Sequence, residues 1–262
     1  MLAFIVPVKS KKVTADWEIF CQLVERTLCS ITNQTSDEYF VVVVCHERPE
    51  LLFEHPKVIF QSVEFDPPPV HSGNYQYRCD LREADKSQKI MEALKIPSVA
   101  DSDFVMVVDS DDMISNKIAG FVASHKTSFI SGWFADSGYL YFEGEKVIWK
   151  LKKGFNQRCG TCQIIKPDNL PLFIDYQEGM FFDHKRIQVS ENILLQPLPF
   201  PSVIYSMANG ENIYMSKVQI RILNRITRKY MDLIRSIIRK SANYFPNFIT
   251  SRFRKEFGFY RI

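Results

Sequence analysis

FVMVVDSDD, residues 104–112, decides the fold expectation: five apolar residues, Phe104 to Val108, run directly into three carboxylates, Asp109, Asp111 and Asp112, with only Ser110 between them. A strand with no polar position suits burial on both faces, as in parallel sheets covered by helices. Ligands of such sheets collect at the carboxyl ends of the strands, where these aspartates fall. In extended backbone the side chains at i and i+2 point the same way, so Asp109 and Asp111 are expected on one side and Ser110 on the other. Carboxylate oxygens so paired suit Mg2+ or Mn2+. The same residues could instead cap a helix after Met113 or close an Asx turn without any ligand.

Working outward, AFIVPV (3–8) reads as a strand, and Trp17, Phe20, Cys21, Val24, Leu28 and Ile31 recur at helical spacing within 13–32. YFVVVVCHE (39–47) is a second fully apolar strand and KVIFQSV (57–63) a third. ADKSQKIMEALK (84–95) reads as a helix with Ile90, Met91 and Leu94 inward. Alternation of strand and helix predicts an α/β fold with a doubly wound, mostly parallel sheet. After residue 125 the pattern shifts to shorter β-like pieces, GYLYF and KVIWK, with prolines at 167, 171, 197, 199 and 201.

At 262 residues and 46% hydrophobic content, the chain supports one α/β domain with an appendage. MLAFIVPVKS holds an apolar run of only about six residues, too short for a signal-peptide core or a membrane span. Six cysteines without an export signal read as reduced thiols, so the expected compartment is the cytoplasm. The net charge of +3 hides an asymmetry: Lys217 to Ile262 carry 12 Lys and Arg against two acids, leaving 21 basic and 28 acidic residues upstream. Within 216–243, Val218, Ile222, Ile226, Tyr230, Leu233 and Ile237 form an apolar stripe beside an arginine stripe, which predicts an amphipathic helix.

The order FIVPVKS, LCSITNQT, VVVVCHE, DKSQKIMEAL, VVDSDD over residues 3–115 resembles the GT-A nucleotide-sugar glycosyltransferases, in particular the family-two type of bacterial surface-polysaccharide enzymes. The resemblance implies a Rossmann-like, mostly parallel central sheet flanked by helices over 1–215, divided into a nucleotide-sugar-binding half (1–115) and an acceptor-side half (116–215). Residues 216–262 would be a basic amphipathic helical tail that reaches an anionic membrane surface, on the cytoplasmic face. It implies a UDP-sugar donor, a saccharide or lipid-linked acceptor, Mn2+ or Mg2+ as cofactor, and no nucleic-acid partner. Pro7 and Val8 would line the nucleoside, Glu47 would accept from uracil or ribose, and Lys86, with Lys89 behind it, would meet the diphosphate. Asp109 would reach the ribose or the metal, and Asp111 would hold the metal. The chain departs from the family in ending its second strand in Cys-His-Glu rather than an aspartate pair.

An inverting transfer needs a base for the acceptor hydroxyl. FIDYQEGMFFDHKRI (173–187) offers Asp175, Glu178 and Asp183; Asp183 is the expected base and His184 a metal or acceptor ligand. Cys159-Gly-Thr-Cys162 has redox or half-zinc spacing but no second pair nearby, so a tight acceptor-side loop is expected. GxGxxG, GxxxxGK[ST] and GxSxG are absent from the sequence, which excludes the common dinucleotide, P-loop and hydrolase signatures. A sugar nucleotidyltransferase and a nucleic-acid or membrane interaction module stand as alternatives.

Overall fold

The computed structural model describes residues 1–70, 74–127, 129–177, 179–212 and 243–262. The first half runs β1 (Leu2–Pro7), α1 (Trp17–Thr32), β2 (Tyr39–Cys45), β3 (Val58–Ser62), α2 (Tyr75–Leu94), α3 (Pro97–Ala100) and β4 (Phe104–Val107). β3, β2, β1 and β4 lie side by side, all parallel. The apolar runs become these strands because both faces are covered. Phe4, Val6, Val41 and Val43 pack with Phe20, Val24 and Leu28 of α1 on one face. Ala3, Ile5, Val42 and Val44 pack with Ile90 and Ala93 of α2 on the other. Each large apolar side chain so buried contributes about 1.5–3 kcal/mol.

The second half continues with β5 (Met113–Ile114), α4 (Ile118–His125), β6 (Gly132–Phe134), β7 (Gly138–Phe142), β8 (Val147–Leu151), β9 (Gln163–Ile165), β10 (Ile174–Asp175) and β11 (Phe181–Phe182). β12 (Gln188–Ser190), β13 (Ile193–Leu194), β14 (Gln196–Pro197), β15 (Val203–Met207), β16 (Tyr244–Phe248) and α5 (Ser251–Phe257) complete it. β9 joins β4 antiparallel, and β6 and β14 extend the sheet to seven strands in the order β14-β6-β9-β4-β1-β2-β3. A second, five-stranded sheet has the order β16-β8-β7-β15-β5. The fold is thus mixed α/β with a largely parallel central sheet. No helix among the described residues is long and apolar enough to cross a membrane.

Three expectations change. First, α2 begins at Tyr75, well before Ala84, because Asn74 caps it by accepting from the Tyr77 amide at 2.9 Å; its first turns are polar and half exposed, so hydrophobic periodicity does not mark them. Second, the chain leaves β4 in a turn, closed by the Asp112 amide donating to the Asp109 carbonyl at 3.1 Å, so Ser110 stays on the side of Asp109 and Asp111.

Third, all but the last residue of the expected helix over 216–243 lies outside the described residues, and 244–262 hold a strand and a short helix packed on the second sheet. β16 pairs antiparallel with β8, and Phe253, Phe257 and Phe259 are buried against Tyr141, Ile148 and Ile204. Tyr139 meets the rings of Phe253 and Phe257 edge-on at 5.0 and 5.6 Å. Aromatic burial overrides the local charge: the arginines of α5 stay exposed on its outer face while its phenylalanines enter the core.

Candidate active site

The aspartate turn is held from two distant loops. Thr161 Oγ1 accepts the Asp109 amide at 2.8 Å and donates to Asp112 Oδ2 at 2.6 Å. Cys159 Sγ donates to the same oxygen at 3.1 Å, and the Ser206 amide donates to Asp112 Oδ1 at 3.0 Å. Asp112 is fully buried, and burial followed by the charges of Asp111 and Asp109 raises its carboxyl well above the usual range. Its oxygens are all engaged, so it braces the turn and faces no ligand. The Cys-Gly-Thr-Cys segment is therefore the wall behind the aspartates. Cys162 Sγ donates to the His184 carbonyl at 3.3 Å, and all six cysteines are free thiols.

The second brace follows β15. Ala208 takes a left-handed φ of 62°, a conformation costly for a residue with a Cβ, and turns the chain back over the site. Asn209 Nδ2 and Asn212 Nδ2 then both donate to Asp111 Oδ2, at 2.7 and 2.9 Å. Glu211, between them, accepts from Lys9 Nζ at 2.5 Å and from the Ala15 and Asp16 amides at 3.1 and 3.0 Å, which ties the loop to the start of α1. Burial, and after it the charge of Asp109, pushes the Asp111 carboxyl up to about 6.

These groups open on a cavity of ≈ 130 Å³ at the carboxyl edge of the parallel strands. Its cations are Lys9, Arg82, Lys86, Lys89 and Arg158; its acids are Glu83, Asp85, Asp109, Asp111 and Glu211. Lys86 Nζ lies 2.5 Å from Asp109 Oδ1. Burial alone would lower the Lys86 pKa, but Asp109 and Glu83 outweigh it and the pKa is raised, so the ammonium stays charged. Lys89 Nζ meets Asp85 at 2.6 Å, and Asp85 holds His46 Nε2 at 2.7 Å, a buried chain that runs back from the cavity wall. A neighbouring hollow of ≈ 220 Å³ shares Lys9, Arg82, Glu211 and Asn212 with the first and adds Lys12 and Arg78.

Of the residues expected from sequence, Pro7, Val8, Lys86, Asp109, Asp111 and His184 all line the one cavity. Glu47 does not: its carboxylate accepts from the Ser10 hydroxyl at 2.9 Å and the Lys11 amide at 3.0 Å, fixing the turn after β1. Asp183 does not line it either; Arg186 Nε holds its carboxylate at 3.2 Å. Asp175 accepts from the Gln177 amide at 2.8 Å and lies outside the lining as well, and Glu178 falls outside the described residues. His184 Nδ1 bonds the Asn156 carbonyl at 2.8 Å, and burial first, with Lys86 second, lowers its pKa and keeps the ring neutral. Donation from Nδ1 fixes the tautomer with the lone pair on Nε2.

Sequence reading missed Lys9, Arg82, Arg158 and the Asn-Gly-Glu-Asn turn (209–212). Arg82 stands one helical turn before Lys86, a spacing that could have flagged it. The turn carries no comparable signal, since its partners lie about a hundred positions away.

Among the described residues, no three His, Cys, Asp or Glu side chains are gathered to hold a metal by themselves. Asp109 and Asp111 offer two carboxylates on one cavity wall, and Asp111 Oδ1 is uncommitted among the described residues. That donor set fits a hard cation that completes its shell with water and ligand oxygens.

The fold and site define a mixed α/β protein with a charge-dense cavity at the carboxyl edge of its parallel strands. No protein-family model matches the chain, and no curated protein sequence matches it. Among solved structures it is similar to residues 1–349 of S. aureus TarS, with a TM-score of 0.42 and 14% identity over 78% of this chain. The chain spans 60% of that structure's length.

Proposed function

We propose that the chain is a glycosyltransferase that moves a sugar from a nucleotide-diphosphate donor, a UDP-sugar, to a saccharide or lipid-linked acceptor in polysaccharide or glycolipid assembly. The observation that carries this reading is the meeting of Asp109 and Asp111 with Lys9, Arg82, Lys86 and Arg158 around one cavity at the sheet's carboxyl edge. Transfer breaks the bond between the anomeric carbon and the diphosphate, so negative charge grows on the leaving oxygens. Fixed cations in a site shielded from water stabilise that charge without having to reorganise.

Mn2+ or Mg2+ held by Asp109 and Asp111 would, when bound, neutralise the diphosphate as it leaves. The chain's own groups do the rest. Lys86, charged and nearly enclosed, is placed for the diphosphate, with Arg82 one helical turn away. Pro7 and Val8 give the cavity an apolar wall suited to a nucleoside. His184 replaces Asp183 as the group that takes the acceptor's proton, because it reaches the cavity as a neutral ring with Nε2 available. The free thiols suit a reducing compartment, the cytoplasm.

Binding of UDP with Mn2+ and with a chelator, followed by a screen of nucleotide sugars for hydrolysis, tests the reading. Cation-dependent binding and slow donor hydrolysis are the expected results. Failure to bind any nucleotide diphosphate under either condition would remove the reading.

A further inference from the structure

The outer edge of the five-stranded sheet has a chemistry of its own. Among the described residues β16 is an edge strand, and its Phe248 is 77% exposed and Phe245 40% exposed. Pro246, between them, removes a backbone donor from this edge. The Lys152 ammonium stands 3.8 Å from the centre of the Phe245 ring. Lys146, Lys150 and Lys153 belong to β8 and its ends, which pair with β16. α5, which follows β16 after two residues, adds Arg252 at its start, while its Lys255 carbonyl accepts from Asn33 and its Glu256 meets Ser115 and Lys117 beside β5, at the opposite edge of the sheet. Within 145–153 there are four lysines and one acid, Glu145.

Two properties therefore coincide: a dense positive field and phenylalanine rings left in water. An incoming strand is disfavoured by the proline and the charges. A single-stranded nucleic acid would need a basic groove with rings laid out as stacking platforms, whereas these rings sit on the edge of a sheet, and neither lines either of the hollows described above. Protruding rings inside a cationic field match the interface of an anionic bilayer, where rings enter the acyl boundary and lysines meet headgroups. We propose that this edge, with Phe245 beside Lys150 and Lys152 on one face of β16, Phe248 on the other, and Arg252 following, is a docking surface for an anionic lipid bilayer entered edge-on. The assignment is independent of the reaction in the cavity.

Co-sedimentation of the full chain with vesicles tests it, comparing phosphatidylcholine alone with phosphatidylcholine plus phosphatidylserine, at low and high salt. The full chain should pellet with the anionic vesicles only, and less so at high salt. The double variant F245S/F248S should lose at least about tenfold in partitioning, given the apolar area it removes. K150E/K152E should lose at least as much, since each cation near such a surface is worth about fivefold. Both variants should keep the parent's circular dichroism and nucleotide affinity. Equal pelleting of parent and variants, equal binding to neutral vesicles, or displacement from vesicles by single-stranded RNA would each overturn the assignment.

Discussion

Lys86 Nζ sits 2.5 Å from Asp109 Oδ1, and the two can meet because residue 160 is glycine. A Cβ built there would lie 2.6 Å from Asp109 Oδ2 and 2.8 Å from Lys86 Nζ. Both atoms are ends of side chains, so Gly160→Ala would push the pair apart without moving the backbone. Stability should stay within about 1 kcal/mol of the parent in urea unfolding. Affinity for UDP with Mn2+ should fall at least about tenfold. Unchanged affinity would mean that the pair does not shape the donor site.

Asp111 separates ligand from scaffold. Burial and the neighbouring Asp109 charge oppose its ionised form, which raises its pKa to about 6. Asp111→Asn keeps an oxygen for Asn209 and Asn212 and removes a charge the fold disfavours. The variant should be at least as stable as the parent near neutral pH. It should also lose the cation-dependent part of nucleotide binding and most turnover. Retention of Mn2+-dependent binding would take Asp111 out of the cation's donor set.

His184 and Asp183 are adjacent in sequence and differ in what they reach. His184→Gln should lower the rate of donor hydrolysis or transfer by about two to four orders of magnitude with nucleotide affinity little changed. Asp183→Asn, which weakens the contact with Arg186 and keeps an oxygen for the Lys185 amide, should leave the rate within a few fold. The reverse ranking would restore the carboxylate as base.

Phe257, 1% exposed, tests whether α5 belongs to the body. Phe257→Ala should cost about 3–5 kcal/mol in chemical unfolding, the range for a buried aromatic. A cost below about 1 kcal/mol would fit a detached tail.

The sequence alone determined the central parallel strands and their order with the helices, because burial on both faces demands uninterrupted apolar runs and an amphipathic helix repeats its pattern every turn. It also located the aspartates at a strand's carboxyl end, while the pairing of Lys86 with Asp109 came from the structure. The start of α2 was hidden because a cap and polar first turns, not periodicity, define it. Only the tertiary structure decided the braces, which of His184 and Asp183 reaches the cavity, and the packing of residues 244–262. Thr161 reaches Asp112 across 49 positions, Asn209 reaches Asp111 across 98, and Phe257 packs on Tyr139. Neither composition nor spacing marks such partners, since contacts between loops depend on where strands far apart in the chain bring them. In a turn, moreover, side-chain direction follows no period, and that is why His184 faces the cavity while Asp183 turns to Arg186.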